Sequence, residues 1–446
     1  MRISCTPLVH LALALMFFLW QPAGALAAEQ EDCHVGSYRL TDGRLIDIET
    51  EDKDTLRWHL WDGTTGVLHP SPGGAWTSTL GWTQRKDGHT VTFSSCHDEG
   101  IVFSGMAGKR IPFEVHDVSF ESHGTKLVGR LVMPMGTAQV PVVVLLHGSE
   151  HDSALTGYSL QRMLPANGVG AFVFDKRGTG VSGGSYTQDF NLLADDDVAA
   201  MREARRLAGT RLARIGYQGG SEGGWVAPMA ASRAPVDFVI VCFGLAVSVI
   251  DEDQQGIDIQ LRERGYTPEE IGHAKEVAGA AETVIASGFT RGFKEFDALR
   301  AKYKTARWYK DLRGDFTYFL LPYSEAQLRE MAPQYDWKTP WSYDPMPTLR
   351  AAKVPELWII GGEDYESPSE VTRRLLNGLI DTGHPFTVAF YPHAEHGMTL
   401  FENAADGSRL STRYAGGYFQ MMRDYIIDGR LHGPYGDAEL KGMAAH

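Results

Sequence analysis

The expected fold is decided by residues 213–225, which read ARIGYQGGSEGGW. The first five of these residues predict a buried strand, and a helical pattern begins at Gly223. A serine between a strand and a helix, in a Gly-x-Ser-x-Gly pentapeptide, is typical of a nucleophile exposed on a sharp turn. The flanking glycines permit such a turn because they carry no Cβ atom. We therefore predict that Ser221 is a catalytic nucleophile at the carboxyl end of a strand.

A second Gly-x-Ser-x-Gly pentapeptide occurs at residues 180–184 and is centred on Ser182. It lies several residues beyond the preceding predicted strand, inside the glycine-rich stretch 175–184. A nucleophile turn needs a strand that runs directly into the serine. We therefore interpret Ser182 as part of a structural turn.

A nucleophilic serine also needs a histidine base and a carboxylate that orients the histidine. In this architecture the acid and then the base follow the serine along the chain, each on a loop after a later strand. Residues 361–368 follow one predicted strand and contain three carboxylates, and residues 392–397 follow the next and contain two histidines. Both loops are therefore expected at the same sheet edge as Ser221.

We predict Asp364 as the acid and His396 as the base. Asp364 has a short side chain at the end of its strand, with Pro368 four residues further on. His396 is followed by Gly397, which allows a tight loop. The neighbours that compete for these two roles are Glu363, Glu366 and His393.

An oxyanion hole requires two backbone N–H donors, one after the nucleophile and one after an early strand. The first is the amide of Glu222. The second is expected at Ser149, because the predicted strand 140–146 runs into His147-Gly148-Ser149. The alternative is that His147 is a packed histidine and its loop an ordinary turn.

The chain from residue 113 onwards alternates strand-like apolar runs with helical segments, which is typical of an α/β fold with a doubly wound, mostly parallel sheet. The alternation breaks between 250 and 350, where the sequence is helix-rich, so we predict a helical lid insertion over the strand ends. The α/β core is then expected in two parts, 113–249 and 351–446. The predicted parallel strands are 140–146, 170–174, 213–217, 236–243, 356–360 and 387–391.

Residues 28–112 predict a separate, small N-terminal β module. Short runs of alternating polarity are separated there by Asp-Gly and Gly-Gly turns, and four tryptophans supply apolar area for a core. The stretch is too short for a propeller of several blades. An antiparallel strand pair at 115–120 and 127–133 is expected to follow it.

The N-terminus predicts export. Arg2 precedes an almost wholly apolar run at 8–20, and Ala25-Leu26-Ala27 matches a signal-peptidase site, so residues 1–27 are expected to be removed. The apolar run is shorter than the roughly 20 residues of a membrane-spanning helix. A periplasmic or secreted protein without a membrane span in its mature chain is therefore expected.

The cysteines and the net charge indicate the compartment of the protein and limit its partners and substrates. In an oxidising compartment Cys33 and Cys96 are expected to form a disulfide, whereas Cys242 lies in an apolar run and is expected to be buried and inert. The alternative is three free thiols. The formal net charge of −14 disfavours nucleic acids as partners and anionic molecules as substrates.

Together these motifs resemble bacterial members of the α/β-hydrolase family. The chain is most similar to the serine hydrolases grouped with dienelactone hydrolases and prolyl-oligopeptidase-like or aminopeptidase-like proteins, over about residues 113–430. The resemblance implies an esterase or peptidase that needs no cofactor or metal, with Ser221, Asp364 and His396 as its triad. It makes 175–182 a structural loop and says nothing about the N-terminal module. The motifs that carry it are 147–149, 175–182, 219–223, 361–368 and 396–397.

We expect hydrolysis of small apolar carboxylic esters, with a peptidase as the alternative and a catalytically inactive scaffold as a third hypothesis. For the peptidase, a carboxylate of the insertion would hold a peptide terminus, and Glu252, Asp253 and Asp336 are candidates. An apolar ester is favoured because ligand pockets are mostly apolar and the insertion is rich in aromatic residues. These aromatic residues are Trp308, Tyr309, Tyr318, Phe319, Tyr335, Trp337, Trp341 and Tyr343.

Overall fold

The computed structural model describes residues 33–335 and 337–442. The predicted signal segment 1–27 lies outside the described residues, and so does Asp336. Eight strands at the beginning of the described chain form a closed antiparallel barrel. They are β1 (Gly36–Leu40), β2 (Leu45–Thr50), β3 (Leu56–Leu60), β4 (Thr65–Pro70), β5 (Ala75–Leu80), β6 (Lys86–Phe93), β7 (Gly100–Phe103) and β8 (Met106–Arg110).

The barrel strands fall within residues 28–112, where the sequence predicts a small β module. The barrel closes because β1 pairs with β8 as well as with β2. Its interior is filled by buried side chains that include Tyr38, Trp58 and Phe103. The predicted disulfide is present, with the Cα atoms of Cys33 and Cys96 5.7 Å apart. The bond ties the chain just before β1 to the turn between β6 and β7.

The following strands form a nine-stranded sheet and a separate two-stranded hairpin. They are β9 (Phe113–Ser122), β10 (Thr125–Pro134), β11 (Val140–Leu146), β12 (Gly170–Phe174), β13 (Leu212–Gly220), β14 (Phe238–Cys242), β15 (Glu356–Gly361), β16 (Phe386–Tyr391), β17 (Thr399–Asn403), β18 (Arg409–Tyr414) and β19 (Glu439–Gly442). The order in the large sheet is β19-β16-β15-β14-β13-β11-β12-β10-β9. The strands from β16 to β12 are mutually parallel, and the pairs at both edges are antiparallel. The mostly parallel sheet expected from the sequence is therefore confirmed.

Two predicted strands differ from the observed ones in a way that matters for the site. The strand predicted at 213–217 continues to Gly220, the residue directly before Ser221. The strand predicted at 236–243 is shorter and spans Phe238–Cys242. It ends there because Phe243 adopts a φ of 41°, which is outside strand geometry.

Helices cover both faces of the large sheet, as a doubly wound fold requires. Helices α3, α4 and α11 pack on one face, and α2 and α12 pack on the other. Over residues 33–335 and 337–442, no helix is both long and apolar enough to cross a membrane. The helices are α1 (Ala154–Gly157), α2 (Leu160–Ala166), α3 (Phe190–Ala208), α4 (Gly223–Arg233), α5 (Val249–Glu263), α6 (Pro268–Ala286), α7 (Phe293–Tyr303), α8 (Thr317–Leu320), α9 (Glu325–Met331), α10 (Met346–Ala351), α11 (Ser369–Asp381) and α12 (Tyr418–Asp428).

The segment between β14 and β15 is helical. It contains α5 to α10 and, among its described residues, no strand. Capping boxes at Ser248, Thr267 and Ser324 start three of these helices by satisfying their first free amides. The segment has a hydrophobic core of its own, to which α6 contributes most of the buried aliphatic side chains. A helical insertion at this place is what the sequence predicts.

The hairpin formed by β17 and β18 connects the barrel to the large sheet's loops. It begins directly after the short helical turn His396–Met398. Its backbone pairs with the barrel, because the Trp82 amide donates to the Ser411 carbonyl and the Tyr414 amide donates to the Gly63 carbonyl, both at 2.9 Å. The hairpin therefore joins the barrel to the loop that carries His396.

Candidate active site

Ser221 lies on a sharp turn between β13 and α4. Its φ is 52°, a value that is uncommon for a residue other than glycine and costs about 1–3 kcal/mol. The turn is held by the Ser221 amide, which donates to the Cys242 carbonyl at 3.1 Å. A Cβ atom on Gly219 would lie 2.3 Å from the Gly223 carbonyl oxygen, so the turn requires glycine there. These features place the Ser221 side chain at the carboxyl edge of the parallel strands.

Asp364 and His396 are brought together by the loops after β15 and β16. The Nδ1 atom of His396 lies 3.2 and 3.1 Å from the two carboxylate oxygens of Asp364. Asp364 is buried, and its Oδ1 also accepts hydrogen bonds from the amides of Glu366 and Ser367 at 3.0 and 2.7 Å. Gly397 has a φ of 74°, as the tight loop after His396 requires. The carboxylate is thus fixed on one side of the imidazole ring.

Of the competing side chains, Glu363 and His393 face away from the Asp364–His396 pair, whereas Glu366 lies beside it. Glu363 lies 3.5 Å from Arg409 and 3.5 Å from the exposed ring of His393. Glu366 approaches the other ring nitrogen of His396, with its Oε2 3.5 Å from Nε2. Among the described residues, no hydrogen bond joins the Ser221 hydroxyl to His396. The structure thus pairs His396 with Asp364 and leaves Nε2 facing both Glu366 and the cavity that Ser221 lines.

The surroundings of His396 favour its protonated form. Burial alone would lower the pKa of His396, but the charge and hydrogen bond of Asp364, with smaller contributions from Glu366 and Asp315, raise it to about 9. A histidine with this pKa is mostly an imidazolium at neutral pH. It can act as a base only in the deprotonated fraction of the molecules.

The two amides predicted for an oxyanion hole lie on either side of the nucleophile turn. Glu222 directly follows Ser221, and Ser149 lies in the loop after β11. Neither amide donates a hydrogen bond to another group in the part of the chain that the structure describes. His147 is buried behind this loop, with its Nδ1 3.1 Å from Glu150 Oε1, so its ring does not line the cavity. His147 is thus a packed histidine, as in the alternative interpretation. The loop nevertheless leaves the Ser149 amide without an acceptor among the described residues.

Lys176 connects the loop after β11 to the turn that carries Ser221, a role that the sequence analysis missed. Its buried ammonium donates to the Gly148 carbonyl at 2.7 Å and to Glu222 Oε1 at 2.9 Å. Burial raises the pKa of Glu222 to about 7, although the Lys176 charge opposes that shift. The only sequence signal was a lysine two residues after the end of the buried strand β12, a position where an unpaired charge is costly. Lys176 thus holds the loop after β11 against the turn that carries Ser221.

The glycine-rich stretch that contains Ser182 is a closed structural loop. The Ser182 hydroxyl donates to the Asp175 carbonyl at 2.6 Å and accepts from the Val128 amide at 2.9 Å. The Asp175 side chain is buried and accepts hydrogen bonds from Ser153 and from the Val181 amide. The Ser182 hydroxyl therefore both donates to and accepts from backbone groups of this loop and its neighbouring strand.

A cavity of about 730 Å³ contains Ser221 and His396 on its wall. Some of the aromatic residues of the insertion were expected to lie on this wall, and that prediction is wrong. No residue of 250–350 that the structure describes lines the cavity. The insertion's aromatics pack mainly within its own core, where burial against other helices is available to them. The aromatic residues that line the cavity are Trp82, Tyr158, Phe243, Tyr414, Tyr418 and Phe419.

The carboxylates proposed for a peptide terminus differ in their surroundings. Asp253 is buried and fully engaged, since it accepts hydrogen bonds from the amides of Phe316 and Thr317 and from the Thr317 hydroxyl. Burial, together with the nearby carboxylates of Asp315 and Asp364, raises the pKa of Glu252. Of the two candidates that the structure describes, Glu252 is therefore the one whose charge interacts with that of Asp364.

The described chain combines a nine-stranded, mostly parallel sheet, covered by helices on both faces, with an N-terminal antiparallel barrel. No protein-family model matches the chain, and no curated protein matches it. Solved structures that it resembles include an esterase of Pyrococcus furiosus, with 18% identity and a TM-score of 0.41 over 64% of this chain and 84% of that chain. An acylaminoacyl peptidase of Pyrococcus horikoshii has 15% identity and a TM-score of 0.45 over 89% of this chain and 57% of that chain. A proline iminopeptidase of Mycobacterium smegmatis has 16% identity and a TM-score of 0.38 over 63% of this chain and 91% of that chain. Similarity at this level does not distinguish an esterase from a peptidase.

Proposed function

We propose that this chain is a serine hydrolase that cleaves carboxylic esters through Ser221, His396 and Asp364. The observation that carries the proposal is the meeting of three separate segments at one cavity. Ser221 stands there on a strained turn, and His396 lines the same wall with Asp364 buried behind it. Two amides without an internal acceptor, those of Ser149 and Glu222, flank the serine.

In this mechanism the Ser221 hydroxyl attacks the ester carbonyl while His396 Nε2 removes its proton. Asp364 holds the other ring nitrogen, so the tautomer with a free Nε2 is selected and the imidazolium is stabilised. The Ser149 and Glu222 amides donate to the tetrahedral oxyanion. His396 then returns the proton to the departing alcohol, and water hydrolyses the acyl-enzyme by the same steps in reverse order.

A fluorophosphonate probe tests the activated serine directly, because only an activated nucleophile labels. Ser221→Ala should abolish labelling and ester hydrolysis while the circular dichroism spectrum and melting curve stay native. Ser182→Ala is the matched control, since it removes the serine of the other Gly-x-Ser-x-Gly pentapeptide. Labelling that survives in Ser221→Ala and disappears in a folded Ser182→Ala would refute the assignment.

The substrate class is proposed as an apolar ester because six aromatic side chains line the cavity. Such a wall binds apolar groups by burial, at roughly 25 cal/mol per Å². A peptide would bring backbone amides into it, and each one left unpaired costs about 1–3 kcal/mol. The measurement is kcat/KM for short p-nitrophenyl acyl esters against aminoacyl and dipeptidyl anilides on one preparation. Anilide turnover equal to or above ester turnover would contradict the ester assignment.

A serine peptidase that uses the same three residues is the second candidate. Glu252 is the insertion carboxylate whose charge interacts with that of Asp364, so it is the candidate to hold a peptide terminus that extends beyond the cavity lined by Ser221. In that case Glu252→Gln would lower kcat/KM for aminoacyl anilides and leave N-blocked anilides unaffected. Equal effects on both substrates would remove this support for the peptidase.

Export to the periplasm or medium is also part of the proposal. The signal-like sequence at 1–27 and the disulfide between Cys33 and Cys96 support it, because disulfides persist in oxidising compartments. Mass spectrometry of the protein from its native host should find an N-terminus at Ala28. A cytoplasmic protein that begins at Met1 would refute it.

A further inference from the structure

The N-terminal barrel takes part in the wall of the cavity that contains Ser221. Glu49 of β2 and Trp82, from the turn after β5, line the same cavity as the nucleophile and His396. Neither residue belongs to the α/β sheet or to the helical insertion. The barrel therefore contributes side chains to the space in which a substrate would lie.

The barrel is held rigidly in this position. In addition to the backbone pairing of the β17–β18 hairpin, Arg162 of α2 binds both carboxylate oxygens of Asp47, at distances from 2.8 to 3.2 Å. Both side chains of this ion pair are buried. Asp47 lies two residues before Glu49 on β2, so the ion pair fixes the strand that carries Glu49. The distance between the barrel wall and the serine is thus set by the fold.

Glu49 presents an ionised oxygen that its neighbours do not satisfy. The residue is only 8% exposed, and its Oε1 is bound to His59 Nε2 at 2.6 Å. Its Oε2 has no hydrogen-bond partner in the described residues, and Arg162 Nη2 is 3.9 Å away. Burial would raise the pKa of Glu49, but His59, Arg162 and Arg57 outweigh it and hold the pKa below the usual range. A buried carboxylate oxygen without a hydrogen bond is costly, so a donor from a ligand would stabilise it.

Three aromatic residues share the cavity wall with Glu49, and the guanidinium of Arg57 stacks on one of them, Trp82, at 4.2 Å. The rings of Trp82 and Tyr414 are 5.5 Å apart, those of Tyr414 and Phe419 are 4.9 Å apart, and all three residues line the cavity. Aromatic faces attract cations and also bury apolar groups. The cavity has further carboxylates, including Glu150, whose pKa is lowered to about 2 by His147 and Tyr158 against the effect of burial.

The one arginine on the wall does not offset this charge. Arg409 lies 3.6 Å from Glu263 and 3.5 Å from Glu363, and its guanidinium stacks on the ring of Tyr365 at 3.6 Å. It is therefore neutralised by partners of its own. With Arg409 compensated, the carboxylates of Glu49, Glu150 and Glu366 outnumber the remaining cation on the wall, the His396 imidazolium.

We infer that Glu49 and the aromatic residues beside it form a substrate subsite, supplied by the barrel, that binds a protonated amine at the end of an apolar arm. The inference rests on the proposed function, because it assigns a part of the substrate whose ester is cleaved at Ser221. It gives the barrel a role in selecting substrates, and Trp82 and Glu49 become its specificity-determining residues.

Three p-nitrophenyl arylacetates of nearly equal size test the subsite. They carry an aminomethyl, a hydroxymethyl or an ethyl group in the para position, and kcat/KM is measured for each with the full chain at neutral pH. The wild type should prefer the aminomethyl ester over the ethyl ester by about tenfold, as a charged hydrogen bond and cation–π contacts predict. Glu49→Gln should remove most of this preference. Trp82→Leu should lower kcat/KM for all three esters severalfold.

Glu99→Gln is the matched control, because it makes the same chemical change in the barrel at an exposed carboxylate that does not line the cavity. It should keep the preference of the wild type. A second measurement needs no variant: benzylammonium should inhibit hydrolysis of p-nitrophenyl acetate at concentrations about tenfold lower than benzyl alcohol.

The outcomes separate this inference from the proposed function. If p-nitrophenyl acetate is not hydrolysed and Ser221 does not label, the proposed function itself fails. If p-nitrophenyl acetate is hydrolysed but the three arylacetates react equally, the proposal of an amine subsite is wrong. It is also wrong if the hydroxymethyl ester reacts as well as the aminomethyl ester. An amine preference that persists in a folded Glu49→Gln, or benzylammonium that inhibits no better than benzyl alcohol, would also overturn it.

Discussion

Lys176 Nζ lies 2.9 Å from Glu222 Oε1, and both side chains are almost completely buried beneath the nucleophile turn. The same ammonium donates to the Gly148 carbonyl, one residue before the proposed oxyanion donor Ser149. Because the Glu222 amide is the other proposed donor, one side chain positions both halves of the proposed oxyanion hole. Preorganised donors of this kind are usually the largest contribution to stabilising an acyl-transfer transition state.

Lys176→Met should therefore impair both folding and catalysis. It leaves a buried carboxylate without its cation, which costs about 3–5 kcal/mol of unfolding free energy. It should also lower kcat/KM by about 10- to 1000-fold, as the loss of one oxyanion donor does. The double variant Lys176→Met with Glu222→Gln should recover most of the stability but not the activity, because the Gly148 carbonyl still lacks its donor. Urea unfolding and ester kinetics measure the two effects.

Lys294→Met provides the control, since this lysine is exposed on α7. It should change neither quantity appreciably. A double variant with full activity would show that Lys176 serves stability alone.

The pH dependence of the reaction should reflect the raised pKa of His396. The base must be deprotonated, so kcat/KM should rise with pH and level off above about 9. Glu366→Gln removes an anion beside Nε2 and thus destabilises the imidazolium, so the midpoint should move to lower pH. Glu370→Gln, an exposed neighbour on α11, is the control. A midpoint that stays unchanged or moves upward in Glu366→Gln would contradict this view of the site.

The same shift predicts a contribution to stability. A histidine whose pKa is raised in the folded state stabilises that state fully below its unfolded pKa, and the contribution is lost as pH rises through about 9. The free energy of unfolding should therefore fall between neutral pH and pH 9 more steeply in the wild type than in His396→Gln. Equal slopes would show that the pKa of His396 is not raised in the folded protein.

Ser182→Ala should reduce stability rather than chemistry. It removes the acceptor of the Val128 amide and the donor to the Asp175 carbonyl, so we expect a loss of about 1–3 kcal/mol in unfolding free energy. Fluorophosphonate labelling of the folded variant should remain. Denaturant titration of this variant beside Ser221→Ala separates the two serines, because Ser221→Ala should keep or slightly raise the free energy of unfolding.

The disulfide should contribute to the stability of the barrel. The two cysteines are 63 residues apart in sequence, and closing a loop of this length contributes about 4 kcal/mol at most in the chain-entropy model. Cys33→Ser with Cys96→Ser should lower the unfolding free energy by up to that amount. Reductant should have the same effect on the wild type and none on the double variant. A non-reduced digest that shows two free thiols would contradict the bond.

Much of the fold and of the triad geometry was accessible from the sequence because the signals are local. Short apolar runs, followed by glycine-rich turns, located β11, β12 and β13 to within a few residues. Parallel strands place their carboxyl ends at one edge of a sheet, so loops after β13, β15 and β16 had to meet there. The choice of His396 over His393 followed from the glycine after it, and in the structure His396 faces Asp364 while His393 is exposed.

The sequence by itself therefore determined the parallel strands and the sharp turn at Ser221, because each depends on a few consecutive residues, and the order of the strands brought Asp364 and His396 to one sheet edge. Only the tertiary structure decided what surrounds them. Lys176 and Glu222 are 46 residues apart, and no periodicity indicates that they share a buried hydrogen bond. No feature of the sequence indicates that the aromatic residues of the insertion pack among themselves. None indicates that Trp82 reaches the cavity. Such contacts depend on how distant elements dock, and docking is fixed by shape and burial over the whole molecule rather than by local propensity.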